Sequence, residues 1–266
     1  GSPASRLICR SQALISAHGL TKRFGSQTAV DQINLRFVEG QASGIIGPNG
    51  SGKSTLFNML TGHLPPSVGK IEFGGLDITA LPPHERVGMG MARTFQLVSV
   101  FDSMTVWENL VLSTGRFADR GSGRRQFFFG PARSKTILEN CLGALERVGL
   151  QDKAGARTSE LSYGDKRMLE IGIALSLKPK LLLLDEPLAG LSDHEIGDVV
   201  DLLHEMKQNC TLVIIEHKIS KIMDLIERLS VLNDGVLICE GDPEAVLNDP
   251  GVRECYWGKQ VSNAEG

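Results

Sequence analysis

The stretch Gly47-Pro48-Asn49-Gly50-Ser51-Gly52-Lys53-Ser54-Thr55 constrains this chain more than any other. It fits the pattern G-x-x-x-x-G-K-[ST], with an apolar run, Ala42 to Ile46, leading in and a helix-like run, Ser54 to Leu60, leading out. Gly47, Gly50 and Gly52 let backbone N–H groups turn inward around phosphate oxygens, where a Cβ would obstruct them. A helix beginning at Lys53 points its positive dipole end at the same anion. Lys53 can set its ammonium on β- and γ-phosphates, and the Ser54 hydroxyl suits a magnesium ion. The plain alternative is a glycine-rich turn before an ordinary helix. The strand before and the helix after favour nucleotide-phosphate binding.

Length and composition narrow the class. At 266 residues the chain can be one large domain or a domain with an inserted lobe. Hydrophobic residues at 41% and charged residues at 22% fit a soluble globular protein. A net charge of -3 gives no basic field for nucleic acid. Five cysteines (Cys9, Cys141, Cys210, Cys239, Cys255) never fall in C-x-x-C spacing, so neither a disulfide framework nor a zinc site is expected. No run approaches the roughly 18 apolar residues of a membrane span, and any membrane role is expected to come through a partner. The opening Gly1-Ser2 resembles a cleavage scar.

A second constellation lies far along the chain, where Leu181 to Leu184 run straight into Asp185 and Glu186, between Pro179 and Pro187. A wholly apolar strand of this kind fits a parallel sheet covered on both faces. Its carboxyl end is where open α/β sheets bind ligands. Asp185 can hold magnesium, and Glu186 can align and deprotonate a water for attack on a γ-phosphate. The next buried-type strand, Thr211 to Ile215, ends at Glu216-His217 and aims His217 at the same crevice. His18, His63, His84, His194 and His204 read as turn or surface positions.

Other stretches read less sharply by themselves. Ile15 to Val38 predicts short antiparallel strands, with Phe24 as a core aromatic or a platform for an adenine ring. Gln96, after Ala92-Arg93-Thr94-Phe95, could ligate magnesium or position a water. Helices are expected from Thr105 to Leu112, Ser134 to Leu150, Lys166 to Leu177 and Ile219 to Leu229. Ser162 and Gly164 stand just before the third of these, as a plain cap or a second anion cradle. Gly115 to Pro131 carries Arg116, Arg120, Arg124, Arg125 and Phe127-Phe128-Phe129, a solvated loop or a contact surface for a partner or membrane. The last ten or so residues are expected to be loose.

Taken in this order, the motifs resemble those of the ATPase subunit of an ABC transporter, over roughly residues 14–258. The resemblance implies an adenine platform at Phe24, phosphate binding by residues 47–55, a Gln96 that links magnesium to the membrane partner, a signature element at Ser162 and Gly164, a catalytic Glu186 and a γ-phosphate-sensing His217. It also implies a dimer-contact loop at Ala189-Gly190-Leu191-Ser192-Asp193. Tyr163 and Asp165 depart from the usual Leu-Ser-Gly-Gly-Gln, and Asp165 is expected to point away from nucleotide. The Ala92–Gln96, Phe127–Ala132, Leu161–Gly164 and Val246–Trp257 stretches are similar to importers of branched-chain or related amino acids.

The expected fold is α/β, a P-loop NTPase core with a mainly parallel sheet, an N-terminal antiparallel β lobe and an inserted helical lobe. The divisions expected are 1–96, 97–160, 161–235 and a C-terminal extension, 236–266. The resemblance implies ATP and Mg2+, a head-to-tail dimer with an identical or paralogous ATPase subunit, membrane permease subunits and, indirectly, a solute-binding protein, with no nucleic acid. It places the chain peripherally at the cytoplasmic face of the inner membrane. An ATPase of a lipid or lipopolysaccharide exporter, a soluble non-transport ATPase, and a module that binds ATP without hydrolysing it are the alternatives.

Overall fold

The computed structural model describes residues 13–94, 100–118 and 135–256. Two sheets organise them. The first is antiparallel, in the order β2-β1-β4-β5, built from β1 (Ala13–Phe24), β2 (Gln27–Val38), β4 (Val68–Phe73) and β5 (Leu76–Asp77). Where short strands were expected, β1 and β2 are 12 residues each, because the tight turn at Gly25-Ser26 joins them into one long hairpin, in which β1 buries Leu14 to Ala17 and β2 buries Val30, Ile33, Leu35 and Phe37. The second sheet has six strands, in the order β10-β9-β3-β8-β7-β6. Its members are β3 (Ala42–Ile46), β6 (Met91–Arg93), β7 (Leu181–Asp185), β8 (Thr211–Ile215), β9 (Arg228–Asn233) and β10 (Val236–Gly241). All neighbours in it are parallel except the β9–β10 hairpin.

Strict alternation on this sheet feeds two cores. Leu182, Leu184, Leu212 and Ile214 point to one face, and Leu181, Leu183, Val213 and Ile215 to the other. All four leucines of β7 are completely buried, each worth about 1.5–3 kcal/mol relative to exposure. The second face meets α1 (Lys53–Leu60) and the antiparallel sheet through Leu56, Phe57, Met59 and Leu60. On the first face sit α3 (Val106–Ala118), α4 (Lys135–Arg147), α5 (Tyr163–Ser176) and α6 (Asp193–Lys207). The helices α3, α4 and α5 pack on one another as a helical lobe.

A buried cation fixes the helix that follows the glycine-rich loop. Arg86, on the short helix α2 (Pro83–Gly88), donates to the carbonyls of Met59 at 2.9 Å and Leu60 at 2.7 Å. It thereby satisfies orphan acceptors at the end of α1. Burial lowers its pKa to about 10, so it remains charged at neutral pH.

Further element expectations are corrected. The third predicted helix starts at Tyr163, not Lys166, because the Ser162 hydroxyl accepts the Asp165 N–H at 3.0 Å and caps it there. No helix runs from Ile219 to Leu229; a short 3-10 turn, Ile219–Lys221, gives way to strand β9. The apolar spacing of Ile222, Leu225 and Ile226 imitates a helix face. Sheet pairing prevails, since the Glu227 N–H already donates to the Ala42 carbonyl at 2.8 Å and Arg228 enters register with Ser43. The chain closes with α7 (Pro243–Leu247) and α8 (Pro250–Tyr256). Helix α3 continues past its expected end at Leu112 to Ala118, so Gly115 and Arg116, read from the sequence as loop, are helical; the rest of that arginine- and phenylalanine-bearing stretch, 119–131, and the last ten residues lie outside the described residues.

Candidate nucleotide site

The loop Gly47–Gly52 leaves the central strand β3 and enters α1. Its glycines answer a tighter demand than access to a ligand. A Cβ on Gly47 would run into the Leu232 carbonyl oxygen and come within 2.5 Å of Ser51 Oγ. On Gly52, at φ 97°, it would lie 2.6 Å from the Ala29 carbonyl oxygen. The backbones of β2 and the β9–β10 hairpin therefore clamp the loop from behind. The Gly235 N–H donates to the Ser51 carbonyl at 3.2 Å, and the Asp31 N–H to the Gly235 carbonyl at 2.8 Å. Gly50 faces open space.

The cradle leaves polar groups unmet. Among the described residues Ser51 Oγ is buried without a hydrogen-bond partner. The start of α1 has no side-chain cap and no acidic residue in its first turn. Such a terminus fits an anion. Lys53, 7% exposed, curls back to donate to the Gly47 carbonyl at 2.7 Å and the Pro48 carbonyl at 3.0 Å. Burial pulls its pKa below the usual lysine value, while Glu186 and Asp185 hold it up. Asn49, Gly50 and Ser54 are exposed, and Pro48 and Thr55 half-buried, around the loop.

The strands β7 and β8 deliver the acids and the histidine. Glu186 follows β7 in a left-handed conformation, φ 49°, which a non-glycine residue adopts only when its surroundings impose it. Here they do: its N–H donates to the Ile215 carbonyl at 2.9 Å, and its carbonyl accepts from Arg167 at 3.3 Å and from the Ala189 N–H at 3.1 Å. The carboxylate turns to His217, with Oε1 3.2 Å from Nε2. Glu186 and His217, 31 residues apart, thus meet as their placement at neighbouring strand ends predicts.

Asp185 has a partner the sequence did not disclose. Its Oδ2 accepts from Arg93 at 2.8 Å, both side chains nearly buried, and Arg93 also donates to Asn58 Oδ1 at 2.6 Å. The guanidinium sits over the Phe57 ring, 5.5 Å from its centre. An arginine inside the apolar run Met91-Ala92-Arg93 is the signal that could have found it. The Ser54 hydroxyl and the Asp185 carboxylate remain hard oxygen donors of the kind magnesium takes. Gln96 lies outside the described residues.

Phe24, which the sequence allows as a core aromatic or an adenine platform, is 51% exposed, with the Lys22 ammonium 5.4 Å from its ring centre. Exposure fits a stacking surface better than a core one. Ser162 and Gly164 form the first turn of α5, Ser162 exposed and Gly164 buried. None of the hydrogen bonds among the described residues joins them to residues 47–55. Instead the turn abuts its own chain's 189–195 segment, with the Tyr163 ring against Gly190 and Glu195 beside Gly164. Asp165 accepts from Lys153 at 2.6 Å. Partial burial would raise its pKa, but Lys153 and Ser162 outweigh that and hold it below the usual value.

Comparison with known proteins agrees with this geometry. Residues 30–189 match a family model described as ABC transporter. The high-affinity branched-chain amino acid transport ATP-binding protein LivG of Escherichia coli (strain K12) is 38% identical over 257 residues, covering 94% of this chain and 99% of that protein. BraF, of the same description, from Pseudomonas aeruginosa is 36% identical over 254 residues, covering 94% and 99%. Among solved structures, an ATP-binding cassette of an ABC transporter in its ADP conformation superposes with a TM-score of 0.82 at 34% identity, covering 93% of this chain and 100% of that one. The motif order, the two-sheet fold and near full-length similarity converge, and the chain belongs to the ABC transporter family, among its ATP-binding subunits.

Proposed function

We propose that this chain is the ATP-hydrolysing subunit of an importer of branched-chain or related amino acids. The observation that carries the solute class is the 38% identity to LivG across 94% of the chain. Residues 47–55 would cradle the phosphates, with the Lys53 ammonium exchanging the Gly47 and Pro48 carbonyls for phosphate oxygens, and Phe24 would stack the base. Ser54, Asp185 and Gln96 would hold magnesium, which when bound neutralises phosphate charge. Glu186 takes the proton of the attacking water, and His217, already on its carboxylate, orients it and meets the γ-phosphate. Ser162 and Gly164 complete the site of a facing subunit rather than their own. That reading is supported by their placement on the 189–195 segment, apart from the loop of the same chain.

A groove of about 760 Å³ lies between the 83–93 segment and helices α3 and α5. Its apolar lining includes Val87, Met91, Phe101, Leu112 and Ile173. In this reading it seats a short segment of the permease. Arg93 lines the groove and also bonds Asp185, so movement there reaches the metal-binding carboxylate directly. The chain would sit peripherally at the cytoplasmic face of the membrane; no helix among the described residues is long and apolar enough to cross it.

Steady-state ATP hydrolysis, alone and with the candidate permease in liposomes, tests the proposal. Wild type is expected to be slow alone and faster in the complex. Glu186→Gln is expected to lose at least about a hundredfold in kcat while still binding ATP. Full activity without any membrane partner would instead identify a soluble ATPase. Full activity of Glu186→Gln would remove that residue from the base role.

A further inference from the structure

We infer that Glu216 is a positioning residue that locks the loop after β7 to the loop after β8, so that Glu186 and His217 move as one body. The inference rests on the roles proposed above for those two residues. Glu216 immediately follows the buried strand β8 and is itself 2% exposed. Its Oε1 accepts the Leu188 N–H at 2.9 Å. Its Oε2 accepts the N–H groups of His217 at 2.7 Å and Lys218 at 3.0 Å. Among the described residues no ion pair neutralises it, so three backbone amides meet its charge. A buried carboxylate is costly unless so satisfied. Bonds to an ionised acceptor are roughly twice as strong as neutral ones.

The location of the donors gives the tie its consequence. Leu188 lies two residues after Glu186 and immediately before Ala189–Asp193, the segment expected to face the second subunit. His217 carries the imidazole that touches Glu186. One side chain therefore spans two strand ends, and displacement of the facing segment reaches His217 through a single carboxylate. Glutamine at this position cannot reproduce it. Its amide nitrogen would confront either the Leu188 N–H or the His217 and Lys218 pair, donor against donor. Shape and volume would be kept and one of the two loops released.

The experiment compares wild type, Glu216→Gln and Glu186→Gln as assembled transporters, together with native-state hydrogen exchange on the purified chain. Glu216→Gln is expected to lower kcat about ten- to hundredfold, with KM for ATP and ATP affinity within about twofold of wild type. In wild type, the Leu188, His217 and Lys218 amides are expected to share one level of protection within about threefold, and in Glu216→Gln to separate. A Glu216→Gln kcat within about twofold of wild type, beside an inactive Glu186→Gln, overturns the inference alone. Independent protection of the amides in wild type overturns it too, without recourse to a variant. Full turnover by Glu186→Gln would instead remove the catalytic reading on which it stands.

Discussion

Lys153 and Asp165 illustrate how one side chain changes the meaning of another. The aspartate departs from the usual signature residue and would bring negative charge toward an incoming phosphate. Lys153 meets it at 2.6 Å, from the short turn before α5. The pair is partly exposed, so its contribution to stability is small, about 0–1 kcal/mol. Its effect on charge is local: Lys153 places a positive charge on Asp165, beside Ser162. Lys153→Ala is expected to change Tm by no more than about 2 °C. Glu186→Gln, which binds ATP without turning it over, is expected to hold the dimer closed, and adding Lys153→Ala to it should reduce the fraction of that ATP-trapped dimer severalfold, read by size-exclusion chromatography. An unchanged dimer fraction would make the pair a surface contact without bearing on closure. The same scale holds Glu186 at φ 49° through three backbone contacts, none of which involves its own side chain.

Helix ends carry the next level of organisation. Two helices open with reciprocal capping boxes. Ser192 and Glu195 close one at the start of α6, where Ser192 N–H donates to the Glu195 carboxylate at 2.9 Å. Thr105 and Glu108 close the other at α3, with 2.8 Å and 3.1 Å bonds in the two directions. Hydrogen bonds from Ser192 side chain and backbone hold Glu195 below the usual 4.5, and those from Thr105 backbone and side chain do the same for Glu108. Folded-state values below the unfolded one mean stabilisation that is complete above pH 4.5 and is lost as pH falls through the depressed values. Thermal melts should therefore show Tm falling more steeply below pH 4.5 in wild type than in a Glu108→Gln/Glu195→Gln variant. Parallel slopes would deny the boxes that role. Capping also explains why α5 begins before the apolar periodicity does: Ser162 sets the start, and Asp165 N–H, not hydrophobic spacing, reads it.

At the scale of the whole molecule, the 47–55 loop and the turn at Ser162–Gly164 stand on different parts of one chain, and in the function proposed above a complete site needs two chains. Specific ATPase activity of the isolated chain is thus expected to rise with protein concentration, approaching second order in the dilute range. Measurement over about a hundredfold range of concentration decides it, and a rate strictly proportional to protein would mean a self-sufficient monomer. The sequence by itself determined the α/β class, the loop at 47–55, the apolar strand ending in Asp185-Glu186 and the crevice position of His217. Each is local, since a short window holds both the periodicity and the polar residue that ends it. Tertiary structure alone decided the partners of those groups. Arg93 reaches Asp185 across 92 positions, Glu216 joins loops 28 residues apart, and Gly47 must be glycine because the Leu232 carbonyl lies behind it. A buried charge or a close backbone approach is defined by what surrounds it, and those surroundings come from strands that the chain reaches only after crossing the sheet.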